Sequence, residues 1–380
     1  MMYSKEKLDA ARKLRALTGW LKNQLISEDS FHRAQINPGE LYKSYSLLKR
    51  IGLYVLAIVA GQSAFSLFGI MMFGDLGWKL MSLVIGTGTF FVLRLFIQNN
   101  HTYKQGTDDA LLHMAVGYIA GGFISILSPD FSGIQLSLTL LLLLGILLFA
   151  VYLFADAFLA VLATLVLFFI PLHLVSMASK ELLFFSFALL LPGSYIITRL
   201  IKQYDTLRYH YWHSCFQAVR YTVGVLAYCS INLFVVKTLA YQLMGAEEIP
   251  LQMAFLVTTV LFPLALLVMG LYYKQKYLLH TGLFLFLPAV ATIRYYYSVM
   301  PIEAALMLGG LLIIAVSYFA ITFLKRKDTA FTFEPDEDED LSTAETLMLL
   351  NQFAPRAIAT EEKKIFGGGD FGGGGAEGKF

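Results

Sequence analysis

From Ile134 to Val175 the chain carries a single charged side chain, Asp156. As one helix this run would extend about twice the thickness of a bilayer's hydrocarbon core. It must fold back, and "LFADAF" is the place, because an aspartate left at the bilayer centre costs roughly 2.5–3.5 kcal/mol on insertion scales. The run therefore predicts two spans with a turn at Asp156. Composition extends the point to most of the chain. Of the 380 residues 57% are hydrophobic and 15% charged, against about 25% charged in soluble domains. The deficit is concentrated between Ile51 and Leu324. The expected fold is an all-α polytopic membrane bundle whose first partner is the lipid bilayer. The net charge of +2 lies in loop flanks and gives no reason to expect nucleic acid.

Hydropathy divides the chain into about ten spans: Ile51–Gly74, Trp78–Ile97, Asp108–Leu127, two in Ile134–Val175, Glu181–Leu200, Ala218–Met244, Leu251–Tyr272, Tyr277–Val299 and Ile302–Leu324. With the N-terminus inside, fourteen Lys and Arg flank the inner loops, Lys104 and Lys202 among them. Four (Lys79, Lys180, Lys237, Arg294) flank the outer ones. That bias orients the chain with both termini cytoplasmic. The expected location is the inner (cytoplasmic) membrane.

Residues 1–50 read as a small cytoplasmic helical segment, with Leu8, Ala11, Leu14, Leu17, Leu21 and Leu25 at helical spacing. Ser27, with Glu28 and Asp29 after it, would cap a second short helix, and Asn37-Pro38 a third. The segment lacks the short apolar core of a cleavable signal. It is expected to pack on itself or on the bundle, or else to lie at the membrane surface. Residues 51–324 form the bundle. Residues 325–380 form an acidic, Gly-rich, disordered tail with one short helix capped by Ser342 and Glu345. Phe366, Phe371 and Phe380 punctuate it. Cys215 and Cys229 are too few for a disulfide framework and are expected free.

The polar stretch Arg94–Tyr118 offers the first candidate chemistry. Thr107, Asp108 and Asp109 form a helix start, and Arg94 can snorkel to the surface. Asp109, His113, Gly117 and Gly121 share one helix face. Small residues mark helix contacts, so that face is expected to pack into the bundle and to carry an acid and an imidazole. Packing is the first expectation, and a proton relay the second. Lys237 and Arg294 lie near outer span ends beside tyrosines. Lys237, the deeper, is the better candidate for an anion or carboxylate contact. Pro192-Gly193, Gly86, Gly88, Pro263 and Pro288 are positions at which spans could break and bind substrate. His210, His213 and Cys215 in "RYHYWHSC" are candidate metal ligands but lack the second pair of a metal site, and their neighbours Tyr209, Tyr211 and Trp212 read as an interfacial belt. There is no nucleophile elbow, no HExxH and no paired catalytic carboxylates, so neither an enzyme nor a cofactor is expected. "YKQ" recurs at Tyr103 and Tyr273, each time ahead of "LLH" ending at His113 and His280. Such a match could reflect a parallel repeat, but one so short in an apolar background is expected to be coincidence.

"LTGWLKNQLISEDSFHRA" followed by "KRIGLYVLAIVAGQSAFSLFG" resembles a family of uncharacterised bacterial integral membrane proteins, over roughly the first third of the chain. The resemblance implies a cytoplasmic helical segment ahead of a multi-span bundle and brings no activity. The Gly-rich end is similar in composition to those of some bacterial membrane-anchored proteins. A membrane scaffold or regulatory protein, recruiting protein partners at its cytoplasmic ends, is the first expected function. The alternative is a secondary transporter or channel for a small solute or ion, with proton coupling. The alternative predicts a polar mid-membrane cavity lined by Gly86, Gly88, Pro192 or Lys237; the scaffold predicts dry packing there.

Overall fold

The computed structural model describes residues 1–297 apart from 23–25, 29–30, 32–41, 43–44, 72–74, 101, 128–132, 205–206, 247, 250 and 274, and beyond them only scattered positions between 307 and 322. The expected span Ile302–Leu324, the caps at Asn37-Pro38 and the whole tail lie outside the described residues.

The described chain is all-helical. In order, α1 is Lys5–Lys22, α2 Leu47–Met71, α3 Asp75–Asn100, α4 Thr107–Leu127, α5 Gly133–Phe154, α6 Ala157–Ser176, α7 Lys180–Phe187 and α8 Leu190–Tyr204. A 3₁₀ turn, Leu207–Trp212, leads to α9 His213–Cys229, α10 Leu233–Met244, α11 Gln252–Tyr272 and α12 Lys276–Tyr296. Among the described residues seven helices (α2 to α6, α11 and α12) are long and apolar enough to cross a membrane, and the bent pair α9–α10 would make eight. The protein is a multi-pass membrane protein. Exposed Leu, Phe and Val side chains along α2, α5, α11 and α12 fit lipid contact. The chain divides into two compact units. One comprises Met1–Ala11 and Pro38–Glu337 and holds the bundle; the other comprises Arg12–Asn37 and Asp338–Phe380, of which the second half of α1 is the main described part.

The fold-back lies at the aspartate. Ala155 takes a left-handed conformation (φ 51°), and Asp156 caps α6 by accepting from the Leu159 N–H at 2.8 Å. Two expected single spans prove to be interrupted. In Glu181–Leu200 the helix stops at Ala188–Leu189. Pro192 has no N–H to give the Ala188 carbonyl, so the helix restarts with Pro192 in its first turn, where no donor is required. In Ala218–Met244 the break falls at Ser230–Asn232, with a bend of 65° between α9 and α10. Pro263 and Pro288 lie inside helices that continue past them.

Within the first unit α3 packs closely along α4, α11 along α12, α5 along α6, and α9 against α6, α8 and α12. Gly86 and Gly122 set the α3–α4 approach. A Cβ on Gly86 would stand 2.7 Å from Ile119 Cγ1, and one on Gly122 2.8 Å from Leu83 Cγ. Thus α3 does not break at Gly86 or Gly88; Gly86 is a close-contact residue. The buried face of α4 runs through Asp108, Leu112, Ala115 and Gly122. The expected face, through Gly117 and Gly121, is rotated from it: neither glycine has an atom within 4 Å of its would-be Cβ.

Candidate functional site

The first turns of α4, the preceding loop, the α5–α6 turn and the first residues of the chain meet at one end of the bundle. His113, in the second turn of α4, lies between two partners. Its Nδ1 is 3.0 Å from the Tyr54 hydroxyl of α2, and its Nε2 is 3.3 Å from Asp156 Oδ1. The His113 and Asp156 side chains are 16% and 11% exposed. A carboxylate only accepts, so Nε2 carries the proton and donates to Asp156. In the neutral ring Nδ1 then accepts from the Tyr54 hydroxyl. When Nδ1 is protonated that hydroxyl must turn and accept instead. Three side chains from three parts of the fold therefore form a chain along which one proton can be taken up and the hydrogen bonds reversed.

Asp156 is held ionised. Burial pushes its carboxyl up, but the hydrogen bonds from His113 and the Leu159 N–H, with the Lys104 charge, outweigh burial and leave it below the usual carboxylate range. Lys104 donates to the Ala155 carbonyl at 3.0 Å. Both Lys104 (φ 49°) and Ala155 (φ 51°) are left-handed. Non-glycine residues seldom adopt that conformation, at a cost of about 1–2 kcal/mol each. Such strain clusters at functional positions. Gly106, φ 95°, closes the same loop, and a Cβ there would collide with the Arg50 carbonyl.

The two acids lie in the first turn of α4, as the helix start predicted, and both bind the loop before it. Asp109 accepts from the Gly106 N–H at 3.2 Å and Asp108 from the Gln105 N–H at 2.7 Å; both close the loop. The partner of His113 is Asp156, 43 residues away, and not Asp109. Placing the α5–α6 turn on the same side as Lys104, as loop charge does, was the signal that could have found it.

Residues 2–9 cover this end. The Met2 N–H donates to the Leu153 carbonyl at 2.8 Å, and the Ser4 N–H to the Tyr42 hydroxyl at 2.8 Å. Tyr3, 4% exposed, packs edge-on against Tyr42, Tyr103 and Phe154 and reaches Asp108 Oδ2 at 3.4 Å. Burial and the neighbouring Asp108 raise its phenol well above the usual tyrosine range. Asp9 accepts from Tyr211 at 3.0 Å and lies 3.3 Å from His210 Nε2. Sequence reading assigned no role to Tyr3, Tyr54 or Asp9.

The other expected residues do not join this cluster. Arg94, Gly88 and Pro192 are exposed. The Lys237 ammonium stands 5.1 Å over the Tyr296 ring, a cation–π contact in place of the expected anion. His213 pairs with Gln217 at 2.7 Å and Cys215 is buried. Among the described residues no group of three His, Cys, Asp or Glu side chains could hold a metal ion.

A second polar cluster sits at the α9–α10 break. Asn232 caps α10 through the Val235 N–H and donates to Tyr228 at 2.8 Å and Thr292 at 3.1 Å. The Leu233 N–H donates to Thr259 at 2.9 Å, and Thr258 to the Ile231 carbonyl at 3.1 Å. The Leu233 N–H and the Ile231 carbonyl, freed by the break, are thereby satisfied by threonines of α11. Further along the second half, the Tyr221 hydroxyl of α9 is 3.1 Å from Nδ1 of His280 on α12. No family model, curated protein or solved structure matches this chain.

Proposed function

We propose that this protein is a non-enzymatic secondary carrier of the bacterial cytoplasmic membrane, moving a small solute or ion together with a proton. Tyr54, His113 and Asp156 form its proton relay. The observation that carries this reading is the hydrogen-bonded chain from Tyr54 through His113 to Asp156. An imidazole titrates near neutral pH, and one held between a phenol and a carboxylate at the end of a membrane bundle can hand a proton on. In this reading the chain crosses ten times, with Glu181–Leu200 and Ile302–Leu324 as crossings and both ends in the cytoplasm. The resemblance to bacterial integral membrane proteins suits that location.

The test is reconstitution of the full chain in vesicles with a trapped pH dye and external addition of amino acids, sugars, nucleobases and metal cations, one at a time. One class should elicit proton movement that His113→Ala and Asp156→Asn abolish. If none moves protons beyond protein-free vesicles, the carrier reading fails.

A scaffold or regulatory protein is the second reading. It is favoured by the docked residues 2–9 and by the close-packed α3–α4 contact at Gly86. In that case the same cluster anchors the N-terminal segment that partners would meet, and no solute elicits proton movement.

A further inference from the structure

The two Tyr–His contacts are alike beyond their chemistry. Tyr54 precedes His113 by 59 residues and Tyr221 precedes His280 by 59. Both hydroxyls meet Nδ1, at 3.0 and 3.1 Å. In each case the tyrosine is on a helix that packs on the histidine's helix (α2 on α4, α9 on α12), and an intervening helix packs along the latter (α3, α11). The residue after each histidine also faces a glycine of the tyrosine helix, though not at the same position: Met114 faces Gly61, seven residues after Tyr54, and Thr281 faces Gly224, three after Tyr221.

The sequence carries a related pattern at three offsets: 167 residues for the tyrosines and histidines, 170 for "YKQ" and 165 for the segments that follow. "YKQ" precedes both histidines, with a connection three residues shorter in the second half. Tyr42 and Tyr209 stand at the same distance before Tyr54 and Tyr221. Beyond α4 and α12 the correspondence continues: "LLLLGILLFAVYLFA", Leu141–Ala155, aligns without a gap on "LMLGGLLIIAVSYFA", Leu306–Ala320, with eight of fifteen residues identical. Leucine abundance accounts for some identities, but not for the shared Gly, Ala-Val and Phe-Ala. The brief echo expected to be coincidence is one part of a longer correspondence.

We infer that the bundle is an internal duplication, residues 42–155 and 209–320, and that Tyr221–His280 is the second copy of the Tyr54–His113 site without its acid. The residues that follow the matched segments are Asp156 and Ile321. The shorter connection "KYLLH" also lacks the Asp108-Asp109 pair. The second copy thus has the imidazole and phenol and none of the three carboxylates. The rings differ accordingly. Tyr54 meets His113 edge-on at 70°, whereas Tyr221 stacks on His280 at 15°, and His280 is exposed where His113 is half-buried. With five crossings between α4 and α12, Glu181–Leu200 counted as one, the two helices run in the same direction and the copies are parallel repeats, the arrangement in which the pathway lies between two halves. The relay is then a property of the first copy alone.

The test is cysteine crosslinking in the full chain, in native membranes, with Cys215→Ser and Cys229→Ser. His113→Cys with Asp156→Cys sets the reference yield with a short bis-methanethiosulfonate reagent. His280→Cys is then combined with single cysteines scanned through positions 317–325. The duplication predicts a maximum at Ile321→Cys, severalfold above its immediate neighbours. A flat scan, or a maximum more than one helical turn from 321, overturns it. The readout involves no transport, so its failure is distinguishable from failure of the carrier reading.

Discussion

Lys104 and Ala155 are both left-handed, and the ammonium of the first donates to the carbonyl of the second at 3.0 Å. One hydrogen bond thus joins the loop before α4 to the turn before α6, two strained points that carry His113 and Asp156 into register. Lys104→Met should loosen that register. We expect a loss of about 1–3 kcal/mol, the cost of a hydrogen bond to a charged group, read from thermal unfolding of the detergent-solubilised chain. Ala155→Gly, which relieves the backbone cost without touching the bond, should be neutral or stabilising.

Asp156 links pH to stability. His113, Lys104, Asp109, Tyr54 and Cys215 surround it. Its folded carboxyl titrates below the unfolded value of about 3.9, so its contribution is complete above that pH and is lost as pH falls through the folded value. Melting curves from pH 6 to 3 should show a fall near the acid end that Asp156→Asn flattens. Tyr3 has the opposite sign. Its raised phenol contributes stability below about pH 10, lost as pH rises further; Tyr3→Phe should remove that alkaline loss.

Glycine substitutions separate close contacts from open faces. Gly106→Ala, at φ 95° against the Arg50 carbonyl, should cost at least about 1–2 kcal/mol. Gly86→Ala and Gly122→Ala should also destabilise, because each would drive a methyl into α4 or α3. Gly117→Ala should be neutral or stabilising by up to about 1 kcal/mol, since nothing lies within reach and alanine is the better helix former. Thermal unfolding of the four variants checks the order.

Most of the helix bundle was legible because lipid imposes it. Spans of fixed length and apolar composition, with a turn at Asp156, follow from the cost of unsatisfied backbone and buried charge. Interruptions were harder. Asn232 stands inside an apolar run long enough to cross, and only the partners brought by α11 and α12 make a break there tolerable. The site was half legible. His113 was identified, but its partner lies 43 residues away and nearer in sequence stood Asp109, at an attractive helical spacing. The face of α4 was misread for a related reason: Gly117 and Gly121 have the small size of contact residues, while the contact is made by Gly122, rotated from them.

Asn232→Ala tests the knot at the α9–α10 break. It removes the α10 cap and leaves Tyr228 and Thr292 without their donor. The expected loss is about 2–4 kcal/mol, a cap plus a buried hydrogen-bonded group. Thr259→Val, which orphans the Leu233 N–H, should cost about 1–3 kcal/mol.

The most direct measurement of the relay is the protonation pattern of His113 itself. Nitrogen-15 spectra of histidine-labelled full chain in nanodiscs at mildly alkaline pH, assigned with His113→Gln, report which ring nitrogen carries hydrogen. The expected result is a proton on Nε2 and a bare, hydrogen-bonded Nδ1, with Tyr54→Phe shifting the Nδ1 signal and Asp156→Asn the Nε2 signal. A proton on Nδ1 with a bare Nε2, or signals indifferent to both substitutions, would contradict the chain from Tyr54 through His113 to Asp156.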